Sequence, residues 1–335
     1  VVLLTDYRGA LRQKLQPWES LDLVRVGEGL REEGWTVREV RLEEVANGLV
    51  QLVGADVVAT STQDAHYRPF VDDVLFTLSR DNRLIPRYEL FRAHENKGYQ
   101  ELLRRKLGLE MLPSLYLGNL AGLDVVSERL RFPLVFKRAA GYQSAGVALV
   151  RDRAELARLV MRCNRPRGLL RYRAKQLIKR YVLRGRYFPE MYTDCPYSGG
   201  YVLQEYLPGA DGDWKVLVYG ERYYVLRRDV RPGDFRASGS GRFRFEAPPD
   251  HVLDFARAAF ERLDTPTASL DIVAAGGRCA LLEFQAVHFG TYTVQKAPHW
   301  FEAAGEGWRR IPERTLVERE FARAVAWYLR RPARE

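Results

Sequence analysis

Cysteine is scarce. The 335 residues hold three, Cys163, Cys195 and Cys279, an odd number with no Cys-x-x-Cys spacing. That excludes a disulfide framework and a cysteine zinc site, and it suits a reducing cytoplasm. No stretch reaches about eighteen apolar residues, so neither a membrane span nor a membrane partner is expected. The opening VVLLTDYRGA is too short for a signal-peptide core and lacks its basic lead-in, so it is read as a first strand. Acid is missing from one segment: Met161 to Tyr187 holds ten Lys or Arg and no Asp or Glu. Elsewhere basic and acidic residues balance at 43 each, so the net charge of +10 is one local feature.

What is present is the composition of a globular protein, 46% apolar and 12% aromatic, in a chain long enough for two or three domains. VVLLTDY, WTVREVRL and GADVVATST read as strands, with helical spacing from Pro17 to Glu33 between the first two. That order predicts a parallel sheet. The loop Ser61 to Tyr67 follows the third strand at its carboxyl end, where open α/β sheets bind ligands. The same residues also read as a helix cap, Ser61 or Asp64 closing a helix from Phe70 to Leu78. Gln63 and His66 are taken as structural.

Arg87 to Gly108 is helical and carries Lys97 and Lys106. PLVFK is a strand ending in Lys137. A small-residue loop, Ala139 to Gly146, joins it to the strand VALV. Such a loop can fold over phosphates and offer backbone N–H groups. It is no Gly-Lys-Ser/Thr phosphate loop, because a strand follows it, not a helix. The basic segment has apolar spacing (Leu169-Leu170, Leu177-Ile178, Val182-Leu183) that allows a helix. YVLQEYL, WKVLVYG and ERYYVLRRDV continue as strands, the last two an antiparallel meander with the polar loop RPGDFRASGSGRF. Arg227 is read as a surface residue on the face opposite Arg228. A helix from Pro249 to Leu263 and a closing amphipathic helix from Val317 to Arg330 flank the hairpin Thr267 to Thr291.

That hairpin carries the most chemistry. Period two puts Asp271 on one face of its first strand. Leu281, Glu283 and Gln285 alternate with Leu282 and Phe284 on its second. Pairing about Gly276-Gly277 would bring Asp271 and Glu283 together. Opposed carboxylates repel unless a cation sits between them, and two carboxylates plus an amide oxygen suit Mg²⁺. An ordinary solvent-facing hairpin is the other reading of the same residues, and His288 beyond it reads as a core or loop residue.

Taken in order, these pieces resemble the ATP-grasp superfamily, and within it the group that includes the ribosomal-protein S6 glutamate ligase. The resemblance runs from about Leu90 to Thr291. It rests on Lys97 in NKGYQELL, Lys137 with its Gly loop, Gln204-Glu205-Tyr206-Leu207, Asp213-Trp214-Lys215, Arg228, Asp234 to Ser238, Asp271, and Glu283-x-Gln285. It implies a Rossmann-like parallel α/β domain over 1–88, followed by an ATP-grasp fold of two α+β subdomains gripping ATP. These are residues 89–200, with the basic segment 161–187 as an insertion, and residues 201–335.

The resemblance assigns Lys97, Lys137, Gly141 and Ser144 to ATP phosphates. It assigns Gln204, Glu205, Tyr206 and Leu207 to adenine, Asp213 to ribose, and Ser238 to an ATP or metal contact. Arg228, Arg236 and Lys215 become the catalytic cations, and Asp271, Glu283 and Gln285 hold Mg²⁺, with Mn²⁺ as a substitute. The implied reaction activates a carboxylate as an acyl phosphate for attack by an amine or thiol, releasing ADP and phosphate.

Gln285 stands where relatives have Asn, Lys215 where they have Arg, and Ser238 where they have Asn. The Pro-Gly that usually follows Gln285 is absent, so the acceptor side is expected to differ. An ATP-grasp kinase acting on a hydroxyl, and a non-catalytic nucleotide- or nucleic-acid-binding protein, remain as alternatives. The basic segment reads as a site for an acidic or phosphorylated substrate, as a solvated helix or homodimer contact, or more weakly as a nucleic-acid site with Tyr172, Tyr181 and Tyr187 among its arginines.

Overall fold

The computed structural model describes residues 1–15, 19–139, 146–164, 169–184, 199–231, 233, 236–237 and 239–332. The chain forms two compact units. The first is Val1–Glu95 with Leu102–Met111 and Pro208–Glu335, and the second is Asn96–Glu101 with Leu112–Leu207.

The first unit holds the parallel sheet that the opening strands predict, in the order Arg38–Arg41, Val2–Thr5, Asp56–Ala59, Arg83–Ile85. Both faces of Val2–Thr5 are covered, which is why its apolar run is unbroken. Val2, Leu4 and Val57 pack with Val71, Leu75 and Leu78 of the helix Arg68–Leu78. Leu3 and Val58 pack on the other side with Leu30, Leu217, Tyr219 and Val325. Burying each such aliphatic side chain stabilises the unit by about 1.5–3 kcal/mol.

The first helix begins later than the sequence spacing predicts, at Leu23–Glu32. Ser20–Leu21 is instead drawn into a two-stranded ribbon with Leu11–Arg12, and Asp22 caps the helix by accepting from the Val24 and Arg25 amides. Gly29 lets this helix lie close against Val317–Leu329: a Cβ there would stand 2.8 Å from that of Ala322.

The same unit carries a seven-stranded antiparallel sheet. Its order is Arg278–Gln285, Thr267–Ala275, Gly212–Tyr219, Arg222–Asp229, Trp300–Ala304, Gly307–Ile311, with Phe243–Arg244 also paired to Arg222–Asp229. The last two full strands were not anticipated from the sequence. Helix Asp250–Leu263 turns its buried side toward the sheet, with Phe260 edge-on to Tyr223 at 6.5 Å.

The second unit is a four-stranded antiparallel sheet ordered Ser114–Leu117, Tyr201–Glu205, Leu134–Arg138, Val147–Val150. Helix Arg153–Cys163, capped by Asp152, buries Leu156, Leu159 and Val160 with Phe136, Tyr201 and Leu203. The basic segment forms the helix Leu169–Tyr181 that its spacing allows. Among the described residues no helix is long and apolar enough to cross a membrane.

Candidate active site

The hairpin turn is made by Gly276 and Gly277 at φ 57 and 74, left-handed values that a residue with a Cβ adopts at a cost. From the turn the ladder runs Ala275↔Arg278, Ala274↔Cys279, Val273↔Ala280, Ile272↔Leu281. Continued without interruption, it would oppose Asp271 to Leu282 and put Glu283 on the core face beside Leu270. The register instead shifts between Asp271 and Ile272, so that Asp271 pairs with Glu283 and Ser269 with Gln285. Leu282 is the extra residue of this bulge. Plain alternation therefore fails at one point: Leu281 lies on the core face with Ile272, both fully buried, while Glu283 and Gln285 lie on the other.

Register in the neighbouring strands gathers the rest. Lys215 pairs with Asp271, and Asp213 with Arg228. One face of the sheet thus carries Asp213, Lys215, Arg228, Ser269, Asp271, Glu283 and Gln285. Arg228 grips Asp213 with two bonds, Nε to Oδ1 at 2.6 Å and Nη2 to Oδ2 at 2.8 Å. The same Nη2 reaches Asp271 Oδ2 at 2.9 Å, and Lys215 Nζ holds Asp271 Oδ1 at 3.2 Å and Ser269 Oγ at 2.7 Å. Burial works to raise the Asp271 carboxyl, but Arg228 and then Lys215 outweigh it and hold it well below the usual carboxylate range. At Asp213 burial prevails over the pull of Arg228 and the carboxyl is pushed up.

Gln285 is clamped at both ends of its amide. Nε2 donates to Glu283 Oε1 at 3.1 Å, and Oε1 accepts from His94 Nδ1 at 2.9 Å. This fixes the tautomer of His94, whose Nε2 is left as a buried acceptor with no partner among the described residues. His94 stacks on His288 at 5.7 Å, and both ring nitrogens of His288 are likewise without a partner there. Burial, with His94, Lys14 and Arg12 nearby, pushes His288 down to about 3, so both rings are neutral. Glu95, next to His94, is held by Arg68 at 2.7 Å and by Gln63 at 3.0 Å. The Gln13 side chain accepts from the Phe289 amide at 2.8 Å.

Gln63 lies in the loop after Asp56–Ala59, which the sequence marks as a ligand edge, and Gln285 is a residue the sequence singles out; His94, Glu95 and Arg68 are the ones it does not. His288 is buried, as the core reading expects, and nothing in period or spacing links His94 to Gln285. The loop at Ser61 is no helix cap: its hydroxyl is buried without a partner, while Asp64 closes a local turn onto the His66 amide at 2.8 Å. Arg227 is not a surface residue either. It is 6% exposed, its guanidinium lies 5.0 Å over the Trp214 ring, and it pairs with Asp211.

The second unit holds the other candidates. Lys137 Nζ bonds Gln204 Oε1 at 2.7 Å across adjacent strands. The Lys97 amide bonds the Ala139 carbonyl at 2.8 Å, which brings the start of the helix Lys97–Lys106 to the end of the Lys137 strand. Glu205 follows Gln204, its amide bonded to Pro113 O and its carboxylate accepting from the Arg131 amide at 3.1 Å. Tyr206 and Leu207 close this unit, and both are half-buried. In the first unit, Arg236 is half-buried ahead of Phe243–Arg244. Gly141, Ser144 and Ser238 lie outside the described residues, as does the end of the basic segment from 185.

Among the described residues no group of three His, Cys, Asp or Glu converges as a metal site. The set on the sheet face is two carboxylates and an amide carbonyl. That is a hard-oxygen set of the kind Mg²⁺ takes, with both Asp271 oxygens held here by Arg228 and Lys215 and the Gln285 carbonyl by His94.

No protein-family model matches the chain, and no curated protein matches it in sequence. Solved structures do match, over nearly its whole length. The crystal structure of D-cycloserine synthetase DcsG aligns with 98% of this chain and 99% of its own, at TM-score 0.55 and 18% identity. The ATP-grasp ligase PsnB, solved with minimal precursor, Mg and ADP, aligns over 98% of both chains at TM-score 0.54 and 14% identity. A RimK-domain ATP-grasp protein from Sphaerobacter thermophilus covers 97% of this chain and 98% of its own at TM-score 0.50 and 13% identity. At such identities it is the architecture that is shared: this chain has the ATP-grasp fold.

Proposed function

We propose that the protein is an ATP- and Mg²⁺-dependent ligase that joins a carboxylate to an amine, releasing ADP and phosphate. One observation carries the reading. On an ATP-grasp fold, the ion-pair chain Asp213–Arg228–Asp271–Lys215 lies beside Glu283 and Gln285 on one sheet face. In this reading a substrate carboxylate oxygen attacks the γ-phosphorus of ATP, the bond to the β–γ bridging oxygen breaks, and ADP leaves. The amine lone pair then attacks the acyl carbon, phosphate leaves, and the amine gives up a proton.

Phosphoryl transfer of this kind is mostly positioning and neutralisation of developing charge. Arg228 arrives already oriented, because Asp213 fixes its plane through Nε and Nη2. Arg236 and Lys215 are assigned as further cations. Lys97 and Lys137 are assigned to phosphates, the run Gln204 to Leu207 to adenine, and Asp213 is near enough in role to serve ribose only if Arg228 releases it. Asp271, Glu283 and Gln285 would hold Mg²⁺, which supplies charge neutralisation at the phosphates when bound; Mn²⁺ is the expected substitute. His94, His288, Gln63, Glu95 and Arg68 are assigned to the substrate end. DcsG is by name a D-cycloserine synthetase, and PsnB was solved with a minimal precursor; the acceptor here is proposed to be a small molecule or a precursor chain.

The test is product analysis. Purified protein with ATP, Mg²⁺ and pooled carboxylates and amines is expected to release ADP and free phosphate, and hydroxylamine in place of the amine is expected to trap a hydroxamate. AMP and pyrophosphate would sink the mechanism. ADP without free phosphate would make the protein a kinase.

A further inference from the structure

We propose that the basic helix Leu169–Tyr181 docks the protein on an anionic lipid surface. The helix lies in the second unit, and the inference stands apart from the ligase reading. At about 100° per residue, positions 170, 174, 177, 178 and 181 share one arc. Their residues are Leu170, Ala174, Leu177, Ile178 and Tyr181. Leu170 is 73% exposed, Leu177 57%, Ile178 54% and Tyr181 59%. Val182 and Leu183, just past the end, are exposed as well. Among the described residues nothing covers this stripe.

Charge borders the stripe. Arg171 and Lys175 run along one flank, and Arg180 stands on the other with its guanidinium 5.5 Å over the Tyr181 ring. No acid occurs from Met161 to Tyr187. An aliphatic stripe edged on both sides by long cationic stems, with a tyrosine at its margin, matches the boundary between acyl chains and anionic headgroups.

Other occupants fit less well. A second copy of the helix would set like charges against like. A helical peptide would have a seam of only 13 residues, under two heptads. Nucleic acid would take the cations and leave the aliphatic stripe in water. A lipid surface takes both, needs no register, and needs no membrane span.

The full-length protein is mixed with vesicles of phosphatidylcholine alone, or of equal parts phosphatidylcholine and phosphatidylglycerol, and the bound fraction is read after flotation. Binding to the anionic vesicles is expected to be about tenfold stronger or more, and to weaken as salt is raised. L177E/I178E is expected to abolish it, and R171E/K175E to weaken it. Both pairs keep the parent melting temperature, because the replaced side chains pack on little. The proposal is overturned if the parent ignores anionic vesicles, if it binds neutral ones equally, or if L177E/I178E binds like the parent. It is equally overturned if the stripe instead holds a dimer on a sizing column, or an RNA, while vesicles go unbound.

Discussion

The two faces of the seven-stranded sheet are built from adjacent residues and do opposite things. Arg227 and Arg228 are neighbours in one strand and equally buried, at 6% each. Arg227 points to the core-facing side, where it lies on Trp214 and shares a mostly exposed carboxylate, Asp211. Arg228 points to the other side, where it is wedged between the buried Asp213 and the half-buried Asp271. Burial alone therefore does not tell these two arginines apart. What differs is the company: one cation rests on an aromatic ring, and the other holds together charges that folding would otherwise keep apart.

Several variants break or sharpen that contrast. The largest effect is expected on the charged face: Glu283→Ala lowers turnover by on the order of a thousandfold while circular dichroism is unchanged. Unchanged turnover would make the face structural. Arg228→Ala strands Asp213 as a buried, unpaired carboxylate and is expected to cost about 3–5 kcal/mol in urea unfolding, besides activity.

The histidines should show in a pH series. The folded His288 pKa is pushed down to about 3, below its ordinary 6.5. The unfolded chain thus takes up a proton that the folded chain refuses. Stability from this source is complete above about pH 6.5 and drains away as pH falls toward 3, by up to about 1.4 kcal/mol per pH unit. His288→Asn is expected to flatten the acid limb of a melting-temperature profile, and a profile identical to the parent's would place the proton elsewhere. Arg227→Ala should do least: about 1 kcal/mol of stability, from the lost ring contact and an ion pair with a solvated partner, and turnover within about twofold of the parent.

Much of this was legible from residue order because the signals are local. The run VVLLT is apolar throughout since both its faces are covered, and the Gly276-Gly277 turn announces a hairpin. The likeness to the ATP-grasp fold needed only the order of pieces from Lys97 to Gln285 along the chain. What escaped was long-range or too small to count. His94 and Gln285 stand 191 residues apart, and no periodicity connects them. Alternation puts Arg227 on the face opposite Arg228, but does not tell that Trp214 roofs that face. Helical spacing runs ahead of Leu23 because Leu21 belongs to a strand pair that closes through Leu11. The bulge was invisible because one surplus leucine does not disturb a pattern that reads leucine on both sides of it.

That surplus leucine gives the hairpin some slack. Every pair on the Gly-Gly side of Leu282, and every pair beyond it, is complete without it. A chain shortened by one at Leu282 could close the gap and keep Asp271 opposite Glu283, with only a straighter strand to show for it. Loss of Phe284 instead would slide Gln285 out of line with Ser269 and turn its amide to the core side. The strand can thus absorb a change of one in length ahead of its first carboxylate and none after it.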